Sequence, residues 1–155
     1  MVKLQRPKVV GSINVKVVTG CGNMYIQLGW WNGGLHEIFA TLGRSGGCAM
    51  SYGEALTRSI TTGLRSGVDA SEYIDQLKGV RCPNQVAFPK ENEVLSCADA
   101  IGKILEKYGS LTTGQMIMLI QNSSGIDNPL SEEDERKIAV DSMQKLKDIR
   151  EEQGL

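Results

Sequence analysis

The sequence lacks the features that define several large classes of protein. No apolar run approaches the roughly 18 residues that a membrane-spanning helix needs. The first ten residues, MVKLQRPKVV, lack the long apolar stretch of a secretory signal peptide. With 17 basic and 18 acidic residues, the net charge of −1 gives no field that would attract nucleic acid or a membrane surface. We therefore expect a cytoplasmic protein that binds neither of them.

Recognisable catalytic motifs are also lacking. The sequence contains no phosphate-binding loop signature, no H-E-x-x-H and no nucleophile elbow. Its single histidine, His36, falls on a predicted strand, and we interpret it as a surface residue of that strand rather than as a catalytic base. We expect no catalysis by this chain on its own.

Glycine, by contrast, is abundant. The chain has 18 glycines in 155 residues, against a usual share of about 7%. This excess indicates many tight turns or close approaches of the backbone. A length of 155 residues suits one domain, or one domain with a tail.

The first third of the chain shows the alternation of β-strands. Polar and apolar residues alternate in the second half of 8–18 and in 24–28, and residues 35–42 are a third candidate strand. Asn32-Gly33 lies between the last two and is a strong hairpin signal, because a tight primed turn needs positive φ. These segments predict a three-stranded antiparallel meander. Trp30 and Trp31 fall at the hairpin tip, where one of them either folds back on the sheet or offers a stacking or partner surface.

Helices are predicted to follow the strands. Ser51-Tyr-Gly-Glu54 reads as a capping box that opens the first helix. Further helix starts are predicted at Asp69, Ser96 and Thr112, and glycines end the first three helices at Gly67, Gly79 and Gly109. The fold class is therefore predicted to be α+β, with a small antiparallel sheet packed on one face by helices.

The last part of the chain is charged. Residues 121–130 form a turn-rich break, and from Ser131 the sequence predicts a charged helix. An apolar stripe runs along this helix through Ala139, Met143, Leu146 and Ile149. The stripe can dock on the domain or pair with a second copy, and we expect a homo-oligomer.

Four cysteines lie at turns or helix starts rather than inside apolar stretches: Cys21, Cys48, Cys82 and Cys97. Four thiolates suit a tetrahedral zinc ion. No pair shows the usual C-x₂₋₄-C spacing, so three interpretations stay open from spacing alone. They are four unrelated buried thiols, disulfides, or a metal site.

Six blocks of sequence resemble the TSCPD domain, in the order that this family shows. The resemblance covers residues 6–108 and leaves 109–155 as a helical C-terminal extension. The blocks are Cys21-Gly-Asn-Met-Tyr, Leu42-Gly-Arg-Ser-Gly-Gly-Cys48, Glu54-Ala-Leu-Thr-Arg-Ser, Leu64-Arg-Ser-Gly-Val68, Gln76-Leu-Lys-Gly-Val-Arg-Cys-Pro83 and Leu95-Ser-Cys-Ala-Asp-Ala-Ile101.

The resemblance implies a metal-chelating function. The domain occurs at the C-terminal end of adenosylcobalamin-dependent ribonucleotide reductases, whose activity is ribonucleoside-diphosphate reduction, and in short freestanding proteins with four cysteines. It implies that the four cysteines here bind a metal, and zinc is the expected ion because four thiolates suit it. In the block that names the family, Leu95 stands for the threonine and Ala98 for the proline. The chain also lacks the reductase barrel and any cysteine after Cys97. The expected function is a non-catalytic zinc-binding accessory module that docks on a ribonucleotide reductase or a related protein.

A glycine-rich loop before the first predicted helix suggests a second function. Its residues Arg44, Ser45, Gly46 and Gly47 offer backbone amides and a cation for a nucleotide or another phosphate compound. Arg65 and Arg81 lie in two other matched blocks and are the further candidate contacts. The alternative function is thus a freestanding protein that sequesters such a ligand. The competing interpretation of this loop is that its glycines serve only to turn Cys48 toward the metal. A third option is a thiol redox protein.

Overall fold

The protein forms a three-stranded antiparallel sheet and four helices, in a computed structural model that describes residues 3–43, 47–87 and 93–123. The sheet order is β1-β2-β3, which confirms the predicted meander and the α+β class. The predicted charged helix from Ser131 lies outside the described residues. Along the chain the elements are β1 (Gly11–Thr19), β2 (Gly22–Trp31), β3 (Gly34–Leu42), α1 (Cys48–Arg65), α2 (Ala70–Leu77), α3 (Cys97–Tyr108) and α4 (Thr113–Ser123).

The β2–β3 hairpin closes through the predicted turn. Asn32 and Gly33 both have positive φ, 56° and 88°, as a tight primed turn requires. Trp30 folds back into the core, and its indole N–H donates to the Leu111 carbonyl at 2.8 Å. Trp31 stays half-buried and meets the His36 ring edge-on, with ring centroids 5.2 Å apart. The interpretation that one tryptophan covers the sheet is therefore confirmed for Trp30.

One face of the sheet carries the core. Met24, Ile26 and Leu28 alternate along β2 and are fully buried, while Tyr25 and Gln27 between them are exposed. Helices α1 and α3 pack on the buried face, against β3 and against β1 and β2 respectively. Each aliphatic side chain buried in this way contributes about 1.5–3 kcal/mol, so this face supplies much of the stability of the fold.

Helix α1 also covers the open edge of β3. The hydroxyl of Thr61 accepts the N–H of Ile38 at 2.9 Å and donates to its carbonyl at 2.8 Å. Small residues at Gly53 and Thr57 lie on the same buried side of α1. They let the helix lie close to the strand. The Thr61 hydroxyl then satisfies the backbone amide and carbonyl of Ile38, which would otherwise be unpaired at the edge of the sheet.

The predicted capping box at Ser51 and Glu54 is wrong. Helix α1 begins three residues earlier, at Cys48, because Gly47 adopts a φ of 129°, a conformation that favours glycine. Ser51 is already helical, and its hydroxyl donates to the Gly47 carbonyl. Glu54 pairs with Arg58 on the next turn instead of reaching back to a cap.

The other helix ends follow the predicted signals. The Asp69 side chain caps α2 by accepting the Ser71 N–H, and Thr112 and Gln115 form a reciprocal capping box at α4. After α1, the N–H of Val68 bonds the Gly63 carbonyl while Gly67 takes positive φ. This arrangement is a Schellman ending.

The interpretation of His36 as a surface residue is wrong. Strand β2 pairs Gly29 with Glu37 but Trp30 with Leu35, so His36 is the extra residue of a bulge. It is only 4% exposed, and its Nε2 has no hydrogen-bond partner among the described residues. Burial lowers the pKa of His36, and the nearby positive charge of Arg65 lowers it further.

The segment before β1 is held to the rest of the fold. Arg6 forms a two-pronged ion pair with the buried carboxylate of Glu37, at 2.6 and 2.9 Å. Leu4 donates its N–H to the Arg65 carbonyl and accepts two bonds from the Arg65 guanidinium. The chain divides into two compact units, residues 1–116 and 117–155. No helix in the described ranges has the length and apolar character needed to cross a membrane.

Candidate metal centre

Three of the four cysteines lie at the boundary of a strand or a helix, and Cys82 lies in the loop between α2 and α3. Cys21 lies in the turn between β1 and β2, and Cys48 is the first residue of α1, which follows β3. In an antiparallel meander, the end of β1, the start of β2 and the end of β3 lie at the same end of the sheet. The N–H of Gly43, just after β3, accordingly bonds the carbonyl of Asn23 at 2.9 Å. Cys97 is the first residue of α3, and its sulfur lies 3.8 Å from the hydroxyl of Thr19 at the same end.

The thiols of Cys21 and Cys82 lie near enough to the Cys97 thiol to affect its pKa. Burial raises the pKa of the Cys97 thiol, and a hydrogen bond with Thr19 opposes that shift. The Cys21 and Cys82 thiols raise the pKa of Cys97 further, because a thiolate between two others is disfavoured. All three side chains are half-buried. A cation in such a cluster reverses this preference, since a coordinating thiol loses its proton.

The turn that carries Cys21 is fixed by its own backbone and by the loop after α2. The Thr19 hydroxyl accepts the Cys21 N–H at 3.3 Å and donates to the Gly22 carbonyl at 2.9 Å. Gly20 lies directly against Asn84, and a Cβ on Gly20 would come within 1.9 Å of the Asn84 carbonyl oxygen. The glycine therefore lets the Cys21 turn meet the loop that carries Cys82.

The loop that carries Cys82 pairs with the segment leading into α3. The N–H of Cys82 donates to the Leu95 carbonyl at 3.0 Å, and Val86 and Val94 form an antiparallel bridge further along. The Cys82 thiol lies 3.4 Å from the Asn84 carbonyl oxygen, to which it donates. These bonds place Cys82 beside the start of α3.

Several hydrogen bonds from side chains to backbone groups fix the start of α3. Ser96 caps the helix by accepting the N–H of Asp99 at 3.0 Å, as the sequence predicts. The Asp99 carboxylate is fully buried and accepts the N–H groups of Gly79 and Leu95. Sequence reasoning used Asp99 only as part of a helix start and did not identify its bonds to distant segments. The only sequence signal for such a role is an acidic residue three positions after a capping serine.

Cys48 stands apart in its burial. It is exposed, whereas the other three cysteines are half-buried. It follows Gly47 and is the first residue of α1. Cys48 follows β3 along the chain, and residues 44–46 between the two lie outside the described residues.

The donor set fits zinc in its chemistry. The described ranges contain no ready-made group of three or more His, Cys, Asp or Glu side chains in metal-binding geometry. They do contain three half-buried thiols, of which those of Cys21 and Cys82 act electrostatically on that of Cys97, and the exposed thiol of Cys48. Four sulfur ligands are the set that a structural zinc site uses.

The predicted ligand-binding residues are dispersed. Arg44, Ser45 and Gly46 lie outside the described residues. Arg65 lies at the opposite end of α1 from Cys48, about 26 Å away along the helix axis. Its guanidinium bonds the Leu4 carbonyl, so the structure does not bring Arg65 to the cysteines. Arg81 is exposed and directly precedes Cys82, which keeps it beside the thiol cluster.

Comparison with known proteins agrees with this architecture. A family model for the TSCPD domain matches residues 2–109, more than half of the chain. The chain therefore belongs to the TSCPD-domain family. No curated protein and no solved structure shows a significant match to the chain. The boundary predicted after residue 108 stays a prediction.

Proposed function

We propose that this protein is a non-catalytic, zinc-binding accessory module that acts in nucleotide metabolism by docking on a ribonucleotide reductase or a related protein. The observation that carries the proposal is the proximity of the Cys21 and Cys82 thiols to the Cys97 thiol, which lies beside Thr19 at the end of β1. Cys48 is the fourth ligand in this proposal. Four protein ligands leave no open position on the ion, which is the arrangement of structural rather than catalytic zinc.

Bound zinc would tie four separate segments together. They are the β1–β2 turn, the start of α1, the loop after α2 and the start of α3. The ion supplies positive charge that holds the thiols as thiolates, and its binding free energy adds to the free energy of folding. The protein surface around this end of the sheet would then be rigid enough to serve as a docking face.

Metal analysis tests the zinc proposal directly. Protein purified under reducing conditions is expected to hold one zinc ion per chain. Serine variants of the four cysteines are expected to lose the ion or bind it much more weakly. Cys48→Ser is the informative variant, because its thiol is exposed while the others are not. Zinc-free protein with four freely titrating thiols would overturn the proposal. Full zinc affinity in Cys48→Ser would remove Cys48 from the ligand set.

Docking needs a separate experiment. The zinc-loaded protein is titrated into an adenosylcobalamin-dependent ribonucleotide reductase from which the TSCPD domain has been deleted, and binding is followed by calorimetry. The full-length reductase is the control, since its own domain would occupy the docking face. Equal binding to both forms, or binding to neither, would contradict docking at that place.

A second candidate function is binding of a nucleotide or another phosphate compound. One observation favours it: within the described residues, α1 begins without a side-chain cap and without an acidic residue in its first turn, and such a helix start suits an anion. Arg81, exposed beside Cys82, and Arg44 supply the cations. Calorimetry against nucleoside phosphates and cyclic nucleotides tests this function. Arg44→Ala and Arg81→Ala are expected to weaken binding without changing zinc content.

A further inference from the structure

Asp99 is a buried carboxylate that joins three parts of the chain. Its side chain is 1% exposed. Oδ1 accepts the N–H of Gly79 at 2.9 Å, and Oδ2 accepts the N–H of Leu95 at 3.0 Å. The ammonium of Lys103, one turn further along α3, lies 2.8 Å from Oδ2. A buried carboxylate is costly unless it is paired and hydrogen-bonded, and all three of these contacts meet that need.

These bonds hold the segment that carries Cys82 against the segment that carries Cys97. Gly79 and Cys82 are the two ends of a four-residue stretch after α2. Asp99 fixes the first end, and the Leu95 carbonyl fixes the second by accepting the Cys82 N–H at 3.0 Å. Leu95 is itself bound to Asp99 through its own N–H. One carboxylate thus determines where both ends of the stretch lie relative to the start of α3.

The arrangement requires a carboxylate in particular. Both oxygens act as acceptors from backbone N–H groups, and the negative charge is matched by Lys103. An asparagine side chain has nearly the same shape, but one of its two ends is an NH₂ donor. That donor would face a backbone N–H donor, so one of the two bonds would be lost whichever way the amide turned.

We propose that Asp99 is a positioning residue of the metal centre, which sets the separation of the Cys82 and Cys97 thiols before an ion binds. The inference rests on the proposed zinc-binding function. Groups that orient metal ligands without touching the metal commonly change its affinity 10- to 100-fold when they are replaced. Asp99 acts here through backbone amides rather than through a ligand side chain.

The test compares Asp99→Asn with Glu37→Gln. Glu37 is an equally buried carboxylate with a cationic partner, Arg6, but its contacts are with the segment before β1. Both variants replace a carboxylate by its amide, so both are expected to lower the free energy of unfolding. Zinc affinity is measured by competition with a chelator, and the ligand-field absorption of bound Co²⁺ reports the geometry around the metal.

Asp99→Asn is expected to bind zinc about 10- to 100-fold more weakly and to change the Co²⁺ spectrum. Glu37→Gln is expected to leave both measurements unchanged. If Asp99→Asn does not fold, Lys103→Met replaces it, because that variant keeps both amide bonds. It removes the countercharge of Asp99 together with the bond from the Lys103 ammonium to the Glu93 carbonyl. It is expected to weaken zinc binding in the same direction but less.

The outcomes separate this inference from the proposed function. A wild-type protein that binds neither zinc nor Co²⁺ refutes the zinc-binding function and the role of Asp99 with it. A wild-type protein that binds both, with an Asp99→Asn variant of equal affinity and equal spectrum, refutes only the role of Asp99. Equal losses in Asp99→Asn and Glu37→Gln would show that general destabilisation, not positioning, is responsible. If Lys103→Met stands in for an unfolded Asp99→Asn, wild-type affinity in it also refutes the role.

Discussion

The hydroxyl of Thr61 satisfies both backbone groups of Ile38, accepting its N–H and donating to its carbonyl. One side chain of α1 thereby takes the place of a neighbouring strand at the edge of β3. Thr61 is buried, so water cannot take over these bonds if the hydroxyl is removed.

Thr61→Val is therefore expected to lower the free energy of unfolding by about 1–3 kcal/mol, the usual effect of leaving buried polar groups unpaired. Valine keeps the shape of threonine, so packing is little changed. Thr62→Val is the matched control, because Thr62 is exposed on the same helix and its change is expected to stay within about 0.5 kcal/mol. Urea unfolding monitored by circular dichroism measures both. Similar losses in the two variants would contradict this account.

Gly20→Ala is expected to weaken zinc binding while leaving the sheet folded. The added Cβ would lie 1.9 Å from the Asn84 carbonyl oxygen, so the loop that carries Cys82 must move away from the Cys21 turn. Gly34→Ala is the control, because a Cβ there meets no atom within 4 Å and Gly34 has no positive φ. Chelator competition gives the zinc affinities. A Gly20→Ala variant with wild-type affinity would mean that the two loops need not touch.

Much of the fold could be predicted from local signals. Asn32-Gly33 needs positive φ whatever surrounds it, and Ser96 caps α3 through a bond three residues away, so both features are visible in the sequence. The start of α1 could not be predicted in this way. The sequence signal lies at Ser51, whereas the helix begins at Cys48 after Gly47, whose φ is 129°.

Residues whose environment depends on distant parts of the chain were not predictable. His36 is buried because a bulge places an extra residue on β3, and Trp31 covers its ring. In the candidate site, the cysteines were identifiable as a set of ligand types. Their supports were not, since Thr19 meets Cys97 across 78 residues and Asp99 meets Gly79 across 20.

The burial of His36 predicts a dependence of stability on pH. Its pKa is lowered in the folded protein, first by burial and then by Arg65 and Arg6, while Glu37 acts in the opposite direction. In the unfolded chain a histidine titrates near pH 6.5. The unfolded state therefore binds the proton first as the pH falls. The stabilising contribution is complete above about pH 6.5 and is lost as the pH falls through the lower folded pKa.

Urea unfolding between pH 8 and pH 5 checks this prediction. The slope of unfolding free energy against pH is expected to be smaller in His36→Leu than in the wild type. The comparison uses the difference of slopes, because any loss of the proposed zinc in acid would affect both proteins alike. Identical slopes would show that His36 does not titrate differently in the folded state.

The C-terminal stripe predicts a homo-oligomer, most simply a dimer. Ala139, Met143, Leu146 and Ile149 repeat at helical spacing in a segment of high charge, outside the described residues. Deleting residues 131–155 is expected to reduce the molar mass measured by light scattering to that of one shortened chain. Met143→Glu, which places a charge within the stripe, is expected to have the same effect. A full-length protein that is monomeric at all concentrations would refute the prediction.

The attachment of the first residues has a consequence for how the amino terminus tolerates proteolytic trimming. In many domains the first few residues can be removed without harm. Here a cut after Arg6 would leave the Glu37 carboxylate inside the protein without its cation, and a cut after Leu4 would free the Arg65 guanidinium. Loss of six residues would thus disturb the first half of β3, which carries Glu37, and the end of α1, which carries Arg65. The segment before β1 thus stabilises the contact between β3 and the end of α1. Its removal by a protease would loosen that contact.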